Sequence, residues 1–325
     1  MMKIDLSGQW RVKLDAEKQE TMPQAYPETM TLPGTTSAAG LGMPNPAKET
    51  GSLTDAYRFE GAAWFMRTFT AGDWTGEQTM LTLERTRKTT VYLDGRPIGH
   101  QESLCTPHRY FLPPVHAGEH TLVIRVDNTD YPTRGGHLTS PDTQSNWNGI
   151  TGEISLTVAH TLLTDLTVRP DLRRGCLRVH GHVIGAPDGV AGIVLPGQME
   201  HLLPYRGGVL NGECPLKGNE AFWDEAHPEI HTISIDLDGD VYETTFGLRD
   251  VRTVGRRLLI NGRETFLRGK VDNLLYPKAG YTPTDVASWM TILGIAKEYG
   301  INHYRYHTAC PPDAAFTAAD LLGVY

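Results

Sequence analysis

Thr284-Asp285-Val286-Ala287-Ser288-Trp289-Met290-Thr291-Ile292-Leu293-Gly294-Ile295-Ala296-Lys297-Glu298-Tyr299-Gly300-Ile301-Asn302-His303-Tyr304-Arg305-Tyr306-His307 runs as a helix that halts at a glycine and passes straight into a strand. Pro283 stands near the first helical position and Asp285 puts an acid into the first turn. Val286, Met290, Leu293 and Ala296 or Lys297 fall on one face of a helix over 284–299, and Gly300 is its C-terminal cap. A strand over 301–307 follows. Upstream, 263–270 reads as a short strand; downstream, 313–322 reads as a second helix. This alternation predicts a parallel strand pair joined by a right-handed crossover. It reads as the opening of a (β/α)8 TIM barrel, which when complete takes roughly 250 residues. Residues 251–325 would then make about a quarter of one, and the chain would be the front part of a larger enzyme.

Upstream of this segment the period changes to that of strands. Thr89-Thr90-Val91-Tyr92-Leu93-Asp94-Gly95-Arg96-Pro97-Ile98-Gly99 is a strand, an Asp-Gly hairpin turn and a returning strand. In 120–128, Leu122, Ile124 and Val126 share one face and Thr121, Val123 and Arg125 the other. Short strands with turn signals at this spacing predict an all-β sandwich over 1–160. It is interrupted by two long irregular loops, 32–52 and 132–148, of a length that usually serves function or mobility. Further strands at 166–169, 176–184, 230–237 and 241–246 predict a smaller sandwich of immunoglobulin-like size over 161–250. Residues 185–223, rich in Gly and Pro, carry no clear assignment.

Composition narrows the function. The 325 residues carry 39% hydrophobic and 21% charged residues, enough for two or three cored domains. A net charge of −8 without long charge runs argues against nucleic acid as a partner. No stretch approaches the roughly 20 apolar residues of a membrane span. The amino terminus enters a folded pattern at once, with no secretory h-region, which favours the cytoplasm. Cys105, Cys176, Cys214 and Cys310 lie far apart without metal-ligand spacing, so free thiols are expected, and neither a metal nor a cofactor is called for.

Six stretches in order resemble glycoside hydrolase family 2, the group of β-galactosidases, β-glucuronidases and β-mannosidases. Leu6-Ser7-Gly8-Gln9-Trp10 resembles the family's opening strand, and Ala63-Trp64-Phe65-Met66-Arg67-Thr68-Phe69 its WYRR-F strand. The hairpin from Val91 to Gly99 and Trp147-Asn148-Gly149-Ile150-Thr151-Gly152-Glu153-Ile154 match the next two elements. Phe246-Gly247-Leu248-Arg249 and Leu259-Ile260-Asn261-Gly262-Arg263-Glu264-Thr265-Phe266-Leu267-Arg268-Gly269 match the approach to the barrel. The resemblance implies a multidomain, mainly β chain. A jelly-roll, galactose-binding-like sugar-binding domain would span 1–160, an immunoglobulin-like β-sandwich 161–250, and the incomplete TIM-barrel catalytic domain 251–325. It also implies a carbohydrate ligand and hydrolysis of O-glycosyl bonds.

Retaining glycosidases use two carboxylates roughly 5 Å apart. In the family both are glutamates at the ends of later barrel strands, so neither is expected before Tyr325. Glu264 in a turn, Glu298 near a helix end and Asp313 at an N-cap are read as structural, which leaves no catalytic residue in these 325. Arg305 and His307 are read differently. Two apart on a strand, they share a face, and they stand at the C-terminal end where barrel enzymes place their sites. The family carries an Arg and a His here to hold the glycone and the carboxylates. An Arg fork suits a carboxylate, and the other reading is an ion-paired interior Arg beside a hydrogen-bonded His. Only Tyr306 separates the two here, against two residues in well-known members. Lys270-Val271-Asp272-Asn273-Leu274 replaces their His-rich stretch, so the β-galactosidase specificity does not carry over. Asp272 and Asn273 are candidates to line the pocket or to make a turn. Asn146 and Trp147 are candidates to meet sugar from the loop over 132–148, with a core role for the Trp147 indole as the stronger alternative. A non-catalytic carbohydrate-binding or adaptor protein is the competing function. The open edges and apolar helix faces of an unclosed barrel argue against it.

Overall fold

The computed structural model describes residues 1–47, 49–133 and 135–325. The described residues are mainly β, with two helices among them, both near the end of the chain. In the first segment a six-stranded antiparallel sheet runs in the order Arg96–Gln101, Lys88–Leu93, Gly118–Asp127, Ala62–Ala71, Gly8–Asp15, Glu28–Leu32. A four-stranded antiparallel sheet runs Met2–Asp5, Ile154–Ala159, Gln78–Leu83, His108–Leu112. Alternation decides which side chains meet between them. Trp10, Val12, Phe65, Leu122, Ile124 and Val126 from the larger sheet share one core with Leu81, Leu83, Tyr110 and Leu156 from the smaller. The opposite face of the larger sheet is covered too, where Tyr26 and Met22 pack with Trp64 and Val123. The Asp-Gly hairpin forms as read, with φ of 49° at Asp94 and 80° at Gly95. The loops over 32–52 and 132–148 hold two short pairings, Gly34–Thr35 against Gly149–Ile150 and Met43–Pro44 against Tyr57–Arg58.

Next comes a seven-stranded antiparallel sheet with a separate core. Its order is Leu162–Asp171, Cys176–Ile184, Val209–Pro215, His201–Arg206, Gly189–Val194, His231–Leu237, Asp240–Phe246. Three of these strands lie in the stretch that the sequence left unassigned. Their apolar alternation is broken by glycines that make room for large neighbours. A Cβ at Gly189 would stand 2.4 Å from the Tyr205 hydroxyl, and one at Gly212 2.2 Å from a Leu203 methyl.

In 251–325 a three-stranded antiparallel sheet, Val251–Val254, Arg257–Ile260, Arg263–Glu264, precedes a parallel pair, Gly269–Asp272 and His303–Tyr306. Helix α1 (Val286–Glu298) joins the parallel strands and α2 (Asp313–Leu322) follows them. Four expectations change. The strand read over 263–270 is two pieces, because Asn261 and Gly262, both at positive φ, turn Arg263 back onto Leu259–Ile260. Glu264 is therefore in a strand and not a turn, facing Arg257 at 3.5 Å. The buried side of α1 centres on Trp289 and Leu293 and leaves Val286 exposed. Trp289 offers the largest apolar surface, and its indole N–H donates to the Pro283 carbonyl at 2.8 Å. Asp285 is the N-cap of α1, accepting from the Ser288 N–H at 2.7 Å, whereas Pro312 and not Asp313 caps α2.

The last segment leans on both others. Thr284 Oγ1 donates to the Thr151 carbonyl at 2.8 Å, Trp223 Nε1 to the Asp320 carbonyl at 2.8 Å, and Lys297 Nζ to the Glu225 carbonyl at 2.8 Å. No helix among the described residues is long and apolar enough to cross a membrane.

Candidate functional site

The parallel register sets Val271 beside Arg305 and Gly269 beside His303, while Lys270 pairs with Tyr304 and Asp272 with Tyr306. Paired residues in neighbouring strands point the same way, so the pair has two distinct faces. Tyr304 and Tyr306 turn toward the helices, where Tyr306 meets the Trp289 ring edge-on at 5.9 Å. Arg305 turns to the open side and is exposed. Beyond the strand the His307 N–H donates to the Asp272 carbonyl at 2.9 Å, carrying the ladder one step further.

Arg305 and His307 are brought together as their spacing implies. Arg305 Nη1 lies 2.7 Å from His307 Nδ1. A guanidinium can only donate, so Nδ1 accepts and the imidazole is neutral with its proton on Nε2. The pair thus presents the remaining guanidinium N–H groups and one imidazole N–H, a set of donors suited to hydroxyl or carboxylate oxygens.

Asp272 does not join them. It is buried on the helix-facing side, where Lys270 Nζ sits 2.9 Å from Oδ2 and the Leu274 N–H donates to Oδ1 at 2.7 Å. Of the two roles read for Asp272, this geometry supports the turn: the carboxylate holds Leu274, which sits at φ 55°. Asn273, exposed at the strand end, meets the site through its backbone. His137 Nε2 donates to the Asn273 carbonyl at 2.7 Å, and the His137 ring stands edge-on to His307 at 5.9 Å and 88°. A loop of the first segment therefore touches the strand ends directly.

One buried side chain shapes that loop. Arg87 is 2% exposed, and its guanidinium donates to three loop carbonyls: Nε to Trp147 at 3.1 Å, Nη1 to Leu138 at 3.0 Å and Nη2 to Ser145 at 3.1 Å. It also lies over the Trp147 ring at 4.1 Å. Trp147 is buried, so its indole is core; its ring stands 6.1 Å from Tyr281, and its N–H donates to Gln144 Oε1 at 3.4 Å. Asn146 is exposed and accepts from the Tyr131 hydroxyl at 3.0 Å. It lines a cleft of about 380 Å³ together with Asp55, Arg58, Tyr131, Gln144 and Ser145. Burial pushes the Asp55 carboxyl above its ordinary range, against the pull of the Ser145 hydroxyl that donates to it at 2.7 Å.

Arg87, His137 and Asp55 were not singled out from the sequence. The Arg85-Thr86-Arg87-Lys88 run inside an otherwise apolar strand region was the available signal for the first. Nothing local marks His137, whose partners are Asn273 and His307. Among the described residues, no three His, Cys, Asp or Glu side chains are grouped to hold a metal.

Solved structures align with this architecture along its whole length. A β-galacturonidase of glycoside hydrolase family 2 from Eisenbergiella tayi, bound to galacturonate, matches with a TM-score of 0.78 at 20% identity. The match covers 99% of this chain and 56% of that one. A β-glucuronidase from Faecalibacterium prausnitzii matches at 0.73 and 18% identity, over 99% of this chain and 58% of that one. A family 2 member from Bacteroides cellulosilyticus matches at 0.75 and 16% identity, over 100% and 45%. The chain has the fold of the N-terminal portion of glycoside hydrolase family 2 enzymes. It spans about half the length of these structures. No family sequence model matches it, and a search of curated proteins finds no match in sequence.

Proposed function

We propose that this chain forms the sugar-holding part of a retaining glycoside hydrolase. In this reading 1–160 is a jelly-roll sugar-binding-like domain, 161–250 an immunoglobulin-like sandwich and 251–325 the first part of a TIM-barrel catalytic domain. The observation that carries the proposal is the joining of Arg305 and His307 at the end of a parallel strand, with His137 of the first segment seated against them. Arg305 holds a ring oxygen or carboxylate, His307 Nε2–H a hydroxyl, and the 132–148 loop with Asn146 walls the site. Asn273 holds His137 through its carbonyl, Asp272 is a positioning residue, and Trp147 supports the loop from behind. A retaining mechanism takes two carboxylates, an acid/base and a nucleophile, and in this reading none of the described residues fills either role.

The family 2 enzymes with similar folds include a β-galacturonidase and β-glucuronidases, so aryl β-uronides lead the substrate panel, ahead of galactosides and mannosides. Incubated with that panel, the 325-residue chain gives no turnover while still binding the parent sugar. Hydrolysis by the chain itself would overturn the assignment of the carboxylates. Absence of binding to every sugar in the panel would overturn the site.

A further inference from the structure

The Arg305–His307 pair and the cleft beside Asp55 offer a saccharide opposite chemistries. We propose that they are adjoining subsites for a mixed disaccharide unit, a uronosyl residue at the strand ends linked to an uncharged pyranose in the cleft. The proposal rests on the reading of Arg305 and His307 as a sugar site and names what lies next to it.

The two places share one rim. The segment that follows the strand Gly269–Asp272 meets the first-segment loop twice. His137 Nε2 donates to the Asn273 carbonyl at 2.7 Å, and Ser145 Oγ lies 3.4 Å from the Gly280 carbonyl. Between these points the chain folds back, the Gly280 N–H donating to the Tyr276 carbonyl at 2.8 Å. Gly280, at φ 79°, presses against the cleft wall. A Cβ there would stand 3.3 Å from Ser145 Oγ and 3.9 Å from Asp55 Oδ1. From the other side, the Arg87 guanidinium holds both the Leu138 and the Ser145 carbonyl, gathering the residue after His137 and the residue before Asn146. The loop that seats His137 against His307 is thus the loop that walls the cleft.

Their linings differ in kind. The strand ends present donors only, the guanidinium N–H groups and His307 Nε2–H, which suits a uronate carboxylate. The cleft presents acceptors and donors together. Asp55 takes the Ser145 hydroxyl on Oδ1; its Oδ2 and both Glu60 carboxylate oxygens have no hydrogen-bond partner among the described residues. Gln144, 6% exposed, gives its carbonyl oxygen to the Trp147 indole N–H, which leaves its amide N–H groups for the cleft. Arg58 adds an exposed guanidinium, so two carboxylates stand against one cation. A hydroxyl both donates and accepts, and a ring bearing only hydroxyls matches this lining. A second uronate would face Asp55 and Glu60 acceptor to acceptor. The volume, about 380 Å³, falls within the ordinary range of small-ligand sites.

The test is calorimetric titration of the whole 325-residue chain with glucuronate and galacturonate, each free and each β-linked to galactose, and with digalacturonate. The galactose-linked form of one uronate should bind about tenfold tighter than that uronate alone, the gain of one well-made hydrogen bond. Digalacturonate should show no such gain over galacturonate. In Asp55→Ala and in Glu60→Ala the linked and free forms should bind alike; Glu60 is exposed, so its variant decides if Asp55→Ala folds poorly. A linked form no tighter than its free uronate would overturn the cleft and leave the Arg305–His307 site standing. An equal gain with digalacturonate would overturn its preference for an uncharged ring. Absence of binding by every uronate, free or linked, would overturn both subsites.

Discussion

The first segment and the last are built on opposite terms. In the first, both sheets bury their facing sides completely, and Trp10, Val12, Phe65, Leu81, Leu122 and Ile124 are all within 1% of full burial. In the last, the parallel pair is sealed toward α1 and α2 by Trp289, Leu293 and Tyr304, while Val271 on the other face is 56% exposed and nearby Phe266 77%. The sealed core sets stability, and the half-open pair is where Arg305 and His307 are reachable. The half-open segment keeps its place through contacts borrowed from its neighbours, above all the His137, Arg85 and Thr151 contacts.

Trp289→Ala breaks this contrast most severely. Removing a buried tryptophan costs about 3–5 kcal/mol, and the loss should fall on 251–325 alone. Fluorescence and exchange measured together should show that segment melting before an unchanged first segment; a single transition displaced as a whole would show one cooperative unit. Arg87→Ala follows, at about 3 kcal/mol, since up to three loop carbonyls lose their donor. Its signature is faster exchange over 138–147 and weaker sugar binding. In the wild type, amide exchange should run fastest over 251–325, because few contacts protect it. Strong protection there would reverse the comparison.

Acid tests the seam between the two regions. Burial first, then Asp313 across the contact, raises the Glu84 carboxyl to about 6 from an ordinary 4.5, against the pull of Arg85. The folded chain therefore holds a proton that the unfolded chain releases between those values. Its stabilising effect is complete below pH 4.5 and disappears as pH rises through about 6. Denaturation midpoints of wild type and Glu84→Gln should diverge across that window, with the variant gaining on the wild type as pH rises. The smallest effect on stability is His307→Ala, about 1 kcal/mol for the lost Arg305 hydrogen bond. It should still abolish sugar binding.

Much of the architecture was legible because it rests on local signals. The Asp94-Gly95 turn, the Cys176–Ile184 strand and helix α2 lie where propensity and period place them. The strands within 185–223 were not legible, since Gly189 and Gly212 are there for Tyr205 and Leu203, whose positions only the folded sheet reveals. For the site, the Arg305–His307 pair followed from a two-residue period. His137 meets His307 across 170 positions of sequence, and no pattern within either stretch predicts that register. Asp272 illustrates a third limit. Its carboxylate was visible, but its face depended on a strand that begins at Gly269 and not at Arg263.

The central claim is that His307, Arg305 and the His137 loop form one sugar site. It is tested most directly by following the imidazole signals of His137 and His307 in ¹⁵N-edited spectra during titration with galacturonate, glucuronate, galactose and mannose. The account predicts saturable shifts of both rings with at least one sugar, lost together in Arg305→Ala. Rings unmoved by every sugar, or shifts that persist unchanged without Arg305, would contradict it.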